Sequence, residues 1–173
     1  MICVEDVFAQ IVERMNKKLI SLGLMTNYQF GTLREIVDNL DKLGNLDNSL
    51  KYPLVALIEP FSQKKGIFNV ESRMTIRFLI ATYTRKQLKA DERLQLNFKP
   101  ILFPIYEEFI RQTCKSAYFR VEEIPHTLVN HFEIGRESLS GYDGNVFNDH
   151  IDAIEIKDME LSLKRKQCKI KNF

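Results

Sequence analysis

The chain has 173 residues, of which 45% are hydrophobic and 28% charged, and this composition is typical of a globular protein and argues against wholesale disorder. Its formal net charge is +2, but the last ten residues hold five basic residues and no acidic ones, so the body of the chain is slightly acidic. We therefore predict one domain over residues 1–163 and a basic tail over residues 164–173, whose cations are Lys164, Arg165, Lys166, Lys169 and Lys171.

The cysteines and the N-terminus bear on the cellular compartment. Cys3, Cys114 and Cys168 are far apart, and no C-x-x-C pair is present, which excludes a disulfide framework and favours a reducing compartment. The N-terminal sequence has acidic residues where a signal peptide would have a basic start, and no apolar stretch is long enough to span a membrane. We expect a soluble protein that is not secreted by the usual route.

Two amphipathic helices are predicted near the N-terminus. The first covers residues 4–22, where apolar residues recur at spacings of three and four. The second covers residues 33–43, and Thr32 and Glu35 have the spacing of a capping box at its start. The stretch between them, residues 24–31, is expected to be a connector.

Two strands joined by an arm are predicted next. Residues 52–60 are apolar on both faces of an extended chain, which predicts a buried strand whose hydrogen bonding ends at Pro60. Residues 73–83 alternate, which predicts a strand with one face in the core and the other buried only toward its C-terminal end. Residues 61–72, between these strands, are apolar but carry the polar turn SQKKG, so we expect either a hairpin-like arm that contacts a partner or a mobile surface loop.

A third helix is predicted after a polar crossing. The crossing covers residues 85–97, where charged residues dominate. Pro100 suits the first turn of a helix, whereas Pro104 marks either the true start or a kink. The apolar face of this helix continues to about Thr113.

The longest strand-like run covers residues 147–165, and the rest of the chain is organised around it. Its apolar residues occupy one face in the first half and the other face in the second half: Ile154 and Ile156, then Met159, Leu161 and Leu163. Lys157 and Asp158 lie at the change of phase, which predicts a β-bulge or bend. We expect a central strand that is covered first on one side and then on the other.

The order of predicted elements defines a fold class. Shorter strands at residues 117–121 and 126–134 precede the central strand, so the order is α-α-β-β-α-β-β-β. Short links between consecutive strands favour antiparallel pairing. The sequence therefore predicts an α+β fold with one mainly antiparallel, mixed sheet flanked by helices.

Residue types that carry chemistry are few. The polar cluster at residues 148–155 contains His150 and Asp152, which would share a strand face, but no second His or Cys supports a metal ion there. Cys114 could pair with a histidine as a nucleophile, although its position after an apolar helix face favours a small packed residue. Nucleotide-binding and hydrolase motifs do not occur. We expect no enzyme activity and no catalytic, cofactor-binding or metal-binding residues.

The order of elements resembles that of the small neck and tail-terminator (tail-completion) proteins of tailed bacteriophages, particularly phages of Bacteroidetes (crAss-like phages). The matching pieces are the N-terminal helix, YPLVALIEP, RMTIRFLIATYT, the crossing into FKPILFPIYEEFI, and FNDHIDAIEIKDMELSLK. The likeness is one of pattern and covers residues 4–165. It implies a tail-terminator-like fold and a virion structural protein without catalytic residues, made in the cytoplasm of the host bacterium.

The resemblance also implies the partners. Proteins of this kind form rings of six or twelve copies in the neck or at the tail end, contact neighbouring neck or tail proteins, and surround a channel through which the genome DNA passes without specific binding. No membrane is involved. Our hypothesis for the contact surface is the arm, because aromatic residues are favoured at interfaces; its residues are Phe61, Lys64, Lys65 and Phe68.

Two other classes of function stay open. The basic tail suits a nucleic-acid-binding or regulatory module, although such a protein should show a basic face with exposed aromatic residues in its body, and this body is mildly acidic. A solvated, frayed terminus is the favoured interpretation of the tail by itself. The second open class is an enzyme, which would need a pocket with convergent polar groups.

Overall fold

A mixed sheet bears both hydrophobic cores, one on each face. The computed structural model describes residues 3–43, 50–65, 71–120, 123–134 and 148–164. Within these ranges the strands are β1 Asn27–Gly31, β2 Leu54–Lys65, β3 Glu71–Tyr83, β4 Phe119–Arg120, β5 Thr127–Ile134 and β6 Ile151–Lys164. Their order is β1-β2-β3-β6-β4, and β5 pairs with β6 on the same side as β4. β1 and β2 are parallel and the other pairs antiparallel, so the predicted α+β class is confirmed.

The two predicted N-terminal helices are confirmed. They are α1, Val4–Leu19, which continues into a 3₁₀ turn at Ile20–Leu22, and α2, Leu33–Lys42. Gly23 follows the turn with a φ of 70°, a left-handed conformation that glycine adopts without steric cost. The capping box is present, because the Thr32 hydroxyl accepts from the Glu35 N–H and the Glu35 carboxylate accepts from the Thr32 N–H.

The third helical region begins earlier than predicted. It comprises α3 Ala90–Arg93, a π-helical segment Leu94–Leu102, and α4 Phe103–Cys114, without interruption. The predicted polar crossing is therefore wrong for residues 90–97. Its polar residues Arg93 and Asn97 are buried and hydrogen-bonded on the inner side of this helical segment, whereas most of its other residues are exposed. Pro100 lies within the π-helical segment, and Pro104 is the second residue of α4.

The predicted connector at residues 24–31 is also wrong, because it contains β1. β1 pairs in parallel with β2, and its side chains Tyr28 and Phe30 pack against the core beneath α1. Asn16 of α1 fixes the entry to this strand, since its side chain bonds the backbone N–H and carbonyl of Thr26 at 2.9 and 2.8 Å. A five-residue strand at a sheet edge has no long alternating pattern of its own and is stabilised by its neighbour.

β2 does not end at Pro60 as predicted but continues to Lys65. The pairing of β2 with β3 shifts between Ile58 and Ser62, so Pro60 lies in the irregular part, where the ladder does not need an N–H. Beyond the shift, Ser62 faces Thr75 and the pairing continues to the end of the strand. The predicted arm is thus the far end of a β2–β3 hairpin, and its residues 66–70 lie outside the described part.

The predicted bulge in β6 is confirmed, but its expected consequence is wrong. Ile76 pairs with Met159 and Phe78 with Ile156, so Arg77 faces both Lys157 and Asp158. Because of the extra residue, the odd-numbered side chains after the bulge point to the same face as the even-numbered side chains before it. Asp158, in the bulge, has a positive φ of 52°. The apolar residues on both sides of the bulge therefore enter the same core rather than opposite ones: Ile154, Ile156, Met159, Leu161 and Leu163. β6 is central as predicted, with β3 on one side and β4 and β5 on the other.

The two cores differ in size. The larger, called the main core, lies between the sheet, α1, the π-helical segment and α4, and contains an aromatic cluster in which Phe8 and Phe109 lie 4.7 and 4.8 Å from Phe78, centroid to centroid. The smaller core lies between the opposite face and α2. Leu79 and Ala81 of β3 belong to it, so the second face of β3 is buried only toward its C-terminal end, as predicted.

We expect Leu161→Asp to lower the free energy of unfolding by several kcal/mol, on the order of 4, because Leu161 is 3% exposed and a carboxylate there would have no partner in the main core. Urea unfolding measures the loss. Glu160→Gln, at the exposed neighbouring position, is the control and should change stability little. A Leu161→Asp protein that unfolds at the wild-type urea concentration would show that β6 is peripheral.

Candidate interaction surface

The sheet face opposite the main core is covered by α2 over only part of its area. Beyond the covered part, the same face carries polar side chains that lie opposite one another on neighbouring strands and are exposed or half-buried. Among the described residues, no helix packs over these side chains. The register places Ser62 opposite Thr75, Lys64 opposite Arg73, and Glu160 opposite Thr75 on the other side. We call this area the open sheet face; it consists of Ser62, Lys64, Arg73, Thr75, Glu160 and Ser162.

Two shallow grooves border the open sheet face. One lies beside the β6 bulge and is lined by Pro60, Phe61, Arg77, Lys157 and Asp158, together with Ser62 and Thr75. The other runs toward β4 and carries Arg120, Glu123 and Pro125 in addition to residues of the open sheet face. Both grooves contain side chains of both charge signs. Such a surface suits a polar docking contact better than a pocket that encloses a small molecule.

A buried carboxylate stands between the part covered by α2 and the open sheet face. Glu155 of β6 is completely buried, and its Oε1 accepts from Arg77 Nε at 2.6 Å. Its Oε2 accepts from His131 Nε2 at 2.7 Å, and Lys157 Nζ lies 3.6 Å away. These partners come from β3, β5 and β6, so one side chain ties together three strands.

The surroundings of Glu155 set its charge state. Burial is the largest single effect and opposes ionisation, but the His131 hydrogen bond and the charges of Arg77 and Lys157 together outweigh it, so the pKa of the Glu155 carboxyl lies below its ordinary value of 4.5. Glu155 is therefore ionised at neutral pH although its side chain has no accessible surface. The negative charge of Glu155 in turn holds the side chains of Arg77 and Lys157 in place.

A second buried network joins the helical region to the opposite side of β6. The Arg93 guanidinium is 2% exposed and donates to Asp152 Oδ1 at 3.1 Å, to Glu133 Oε2 at 3.0 Å and to Thr84 Oγ1 at 3.1 Å. It also bonds the carbonyls of residues 85, 86 and 88, which holds the turn after β3. Asp152 additionally accepts from Asn97 Nδ2 at 2.6 Å.

The residues considered for a metal ion are therefore used otherwise. Asp152 is bonded to Arg93 and Asn97, and His150 Nδ1 lies 3.5 Å from Glu133 Oε1. Across the ranges that the structure covers, no group of three or more His, Cys, Asp or Glu residues is placed to hold a metal ion. The expectation that Cys114 is a packed residue is wrong: its side chain is exposed, because the buried face of α4 passes through Phe109 and Thr113 instead.

The structure describes part of the predicted contact set. Lys64 is exposed on the open sheet face. Phe61 is half-buried, with its ring centroid 6.4 Å from that of Phe30, so it presents only part of its ring outward. Phe68 and the side chain of Lys65 lie outside the described part of the chain. Of the basic tail, Lys164 is the exposed last residue of β6, and Arg165, Lys166, Lys169 and Lys171 lie outside the described residues.

Sequence reasoning missed both ion-pair networks. For one of them a signal was present: Arg77 and Glu155 each stand within an apolar strand, TIRFL and AIEIK, where a charge without a partner would be costly. Two opposite charges at such positions indicate a pair. Arg93 gave no comparable signal, since its neighbours in sequence are polar.

Comparison with known proteins does not add a family. No protein-family model matches the chain, and no curated protein is significantly similar to it. None of the described helices is long and apolar enough to cross a membrane. The function has to be argued from the fold and from the surfaces described above.

We expect Glu155→Gln to lower the free energy of unfolding at neutral pH by about 3 kcal/mol, because Arg77 and Lys157 lose the charge that neutralises them. The folded-state pKa lies below 4.5, so the ionised carboxyl stabilises fully above that pH and loses its effect as the pH falls through the folded-state value. The difference in the free energy of unfolding between wild type and Glu155→Gln should therefore become smaller below pH 4.5. Urea unfolding across this range measures it, and a difference independent of pH would contradict the assignment.

Arg93→Met should lower the free energy of unfolding by about 3–5 kcal/mol, since Asp152 would stay buried with a charge and no cation. The matched control is Arg34→Met, which removes an exposed arginine of α2 and should cost about 0.5 kcal/mol or less. Adding Asp152→Asn to Arg93→Met should recover part of the loss. If thermal or urea unfolding gives the same loss in the free energy of unfolding for both arginine variants, the buried network does not contribute more to stability than an exposed arginine.

Proposed function

We propose that this protein is a structural virion protein of a tailed bacteriophage. In this proposal it is one subunit of a homo-oligomeric ring in the head-to-tail neck or at the tail terminus, where it joins neighbouring rings around the genome channel. The observation that carries the proposal is the open sheet face at the far end of the β2–β3 hairpin, on an α+β fold whose order of elements resembles such proteins.

The character of the open sheet face supports a protein partner. Lys64 and Arg73 are exposed on neighbouring strands, and Glu160 lies on the next strand of the same face. Charges of both signs on one surface favour a docked neighbour with the complementary pattern, which gives the contact its register. A ring subunit needs such register, because each copy must take the same place relative to the next.

The arm extends this surface. β2 and β3 remain paired up to Lys65 and Ser72, and by sequence the segment that joins them contains Phe68. An aromatic residue beside lysines combines a large apolar contact area with a polar rim, which is the usual anatomy of an interface. The arm thus supplies the anchor, and the open sheet face supplies the surrounding polar contacts.

The alternative, a nucleic-acid-binding or regulatory module with a basic tail, has less support in the body of the protein. The basic residues of the second groove, Lys64, Arg73 and Arg120, share it with Glu123 and Glu160. Carboxylates among the cations repel phosphate groups and reduce the number of counterions released on binding. This surface is better suited to a protein than to DNA.

Purified phage particles test the proposed function. The protein should be found in them by mass spectrometry in a fixed ratio to the other structural proteins, and imaging should locate it in a ring of the neck or tail. Six or twelve copies are expected from the resemblance. Particles that are complete and infectious but lack the protein would contradict the proposal.

We expect Phe68→Ser to reduce incorporation into particles by about tenfold or more, the effect of losing an aromatic anchor at an interface. The variant should keep the wild-type stability when it is unfolded by heat. Tyr83→Ser is the matched control, because Tyr83 is an aromatic residue that is 40% exposed at the other end of β3. Normal incorporation of a normally folded Phe68→Ser protein would remove the arm from the interface.

A further inference from the structure

The strands β1 and β5 lie at the two outer edges of the sheet. β1 ends the strand order on one side, and β5 pairs with β6 on the other, with no further strand outside either within the described ranges. The N–H of Asn27 bonds the carbonyl of Pro53 in the chain leading into β2, so by alternation the backbone groups of Tyr28 and Phe30 point outward. Outward backbone groups can pair with another strand.

The two edges carry few of the devices that normally prevent such pairing. β1, with the sequence NYQFG, has no charged side chain, and residues 127–132 of β5 have no lysine, proline or carboxylate. The C-terminal end of β5 does carry a bulge, where Glu133 has a φ of 58°, so only residues 127–132 are open to pairing. Natural proteins usually blunt free edges with charges, prolines or bulges, because an exposed edge is a template for another chain. The whole of β1 and residues 127–132 of β5 are therefore open to pairing with another strand.

Exposed apolar side chains accompany each edge. Ile20, Leu22 and Met25, in the segment that leads into β1, are 68%, 63% and 69% exposed. On β5, Leu128 and Phe132 are 39% and 42% exposed. These are five of the eight large apolar residues that the described ranges leave exposed, so the apolar surface is concentrated at the two edges.

Both apolar groups lie on the same side of the sheet. Leu128 pairs with Ile156, whose side chain enters the main core, and the ring of Phe132 lies 4.5 Å from that of Phe98. The turn at Ile20–Leu22 continues α1, which packs on that side. If the β1 edge of one copy pairs with the β5 edge of another, the two sheets form one continuous sheet. The apolar groups of the two edges then lie next to each other on the same face.

The strand directions also match. β1 is parallel to β2, and each step from β2 through β3 and β6 to β5 is antiparallel, so β1 and β5 run in opposite directions. Copies repeated along the sheet would place β5 of one beside β1 of the next as an antiparallel pair. Further copies of this chain can therefore supply a partner strand for each of the two edges.

We propose that the β1 edge of one copy, with Ile20, Leu22 and Met25, pairs with the β5 edge of the next copy, with Leu128 and Phe132. The contact is heterologous and head-to-tail, the kind that closes into a ring when the rotation fits. The proposal rests on the proposed function insofar as it takes a second copy as the partner. It adds the surfaces through which successive subunits of the ring meet.

Cross-linking between single-cysteine chains tests the contact. In a chain with Cys3, Cys114 and Cys168 replaced by serine, one variant carries Leu22→Cys and another Leu128→Cys. A short bis-maleimide should link neither variant to itself, but a mixture should give a dimer and nothing larger, because each chain has one reactive edge. The matched control is a mixture of Gln10→Cys and Gln63→Cys chains, both at exposed positions that lie in neither edge strand.

The outcomes separate the edge contact from the proposed function. Dimer formation several-fold above the control, lost when Met25→Glu is added to the Leu22→Cys chain, supports the edge contact. Cross-linking no stronger than the control overturns it, as does a variant that links to itself as well as to the other. A ring found in particles without edge-specific cross-linking removes the edge contact alone; edge-specific cross-linking of a protein absent from particles removes the proposed function alone.

Discussion

One extra residue in β6 governs how the whole sheet is used. Because Lys157 and Asp158 together face Arg77, the apolar residues after the bulge return to the face used before it, and a single main core runs along the entire strand. Without this shift the second half of β6 would direct its leucines away from α1 and α4. The bulge therefore leaves the opposite face polar beyond the reach of α2, and that polar part is the open sheet face.

Two buried ion pairs hold β6 in this register, one on each face. Asp152 faces the helical region and is bonded to Arg93, while Glu155 faces the other way and is bonded to Arg77. Buried pairs often add little net stability compared with apolar packing, but a shifted strand would leave their charges without partners. We infer that these carboxylates make alternative registers of the central strand unfavourable.

The same architecture explains why contact surfaces concentrate where they do. The helices cover the centre of the sheet on both faces, so the areas left for partners are the hairpin end and the two edges. The open sheet face at the hairpin end is polar and carries charges of both signs, which favours specific docking to a protein partner. The edges carry most of the exposed apolar side chains of the described residues, which favours close pairing between copies. In the proposed ring, the contact at the hairpin end would lie along the ring axis. The contact between sheet edges would join successive subunits around the ring.

The sequence by itself determined the elements whose signals are local. The capping box of Thr32 and Glu35, the apolar spacing of α1 and the phase change at Lys157 are readable because neighbouring residues decide them. Only the tertiary structure decided that residues 27–31 form a strand, that residues 90–97 are helical, and that both halves of β6 share one core. In each case the deciding partner lies far away in the chain: β2 for the edge strand, Asp152 for the buried polar residues of the helix, and β3 for the bulge. Long-range pairing and burial overrode local pattern there, as they do wherever a short or polar segment is stabilised by its neighbours.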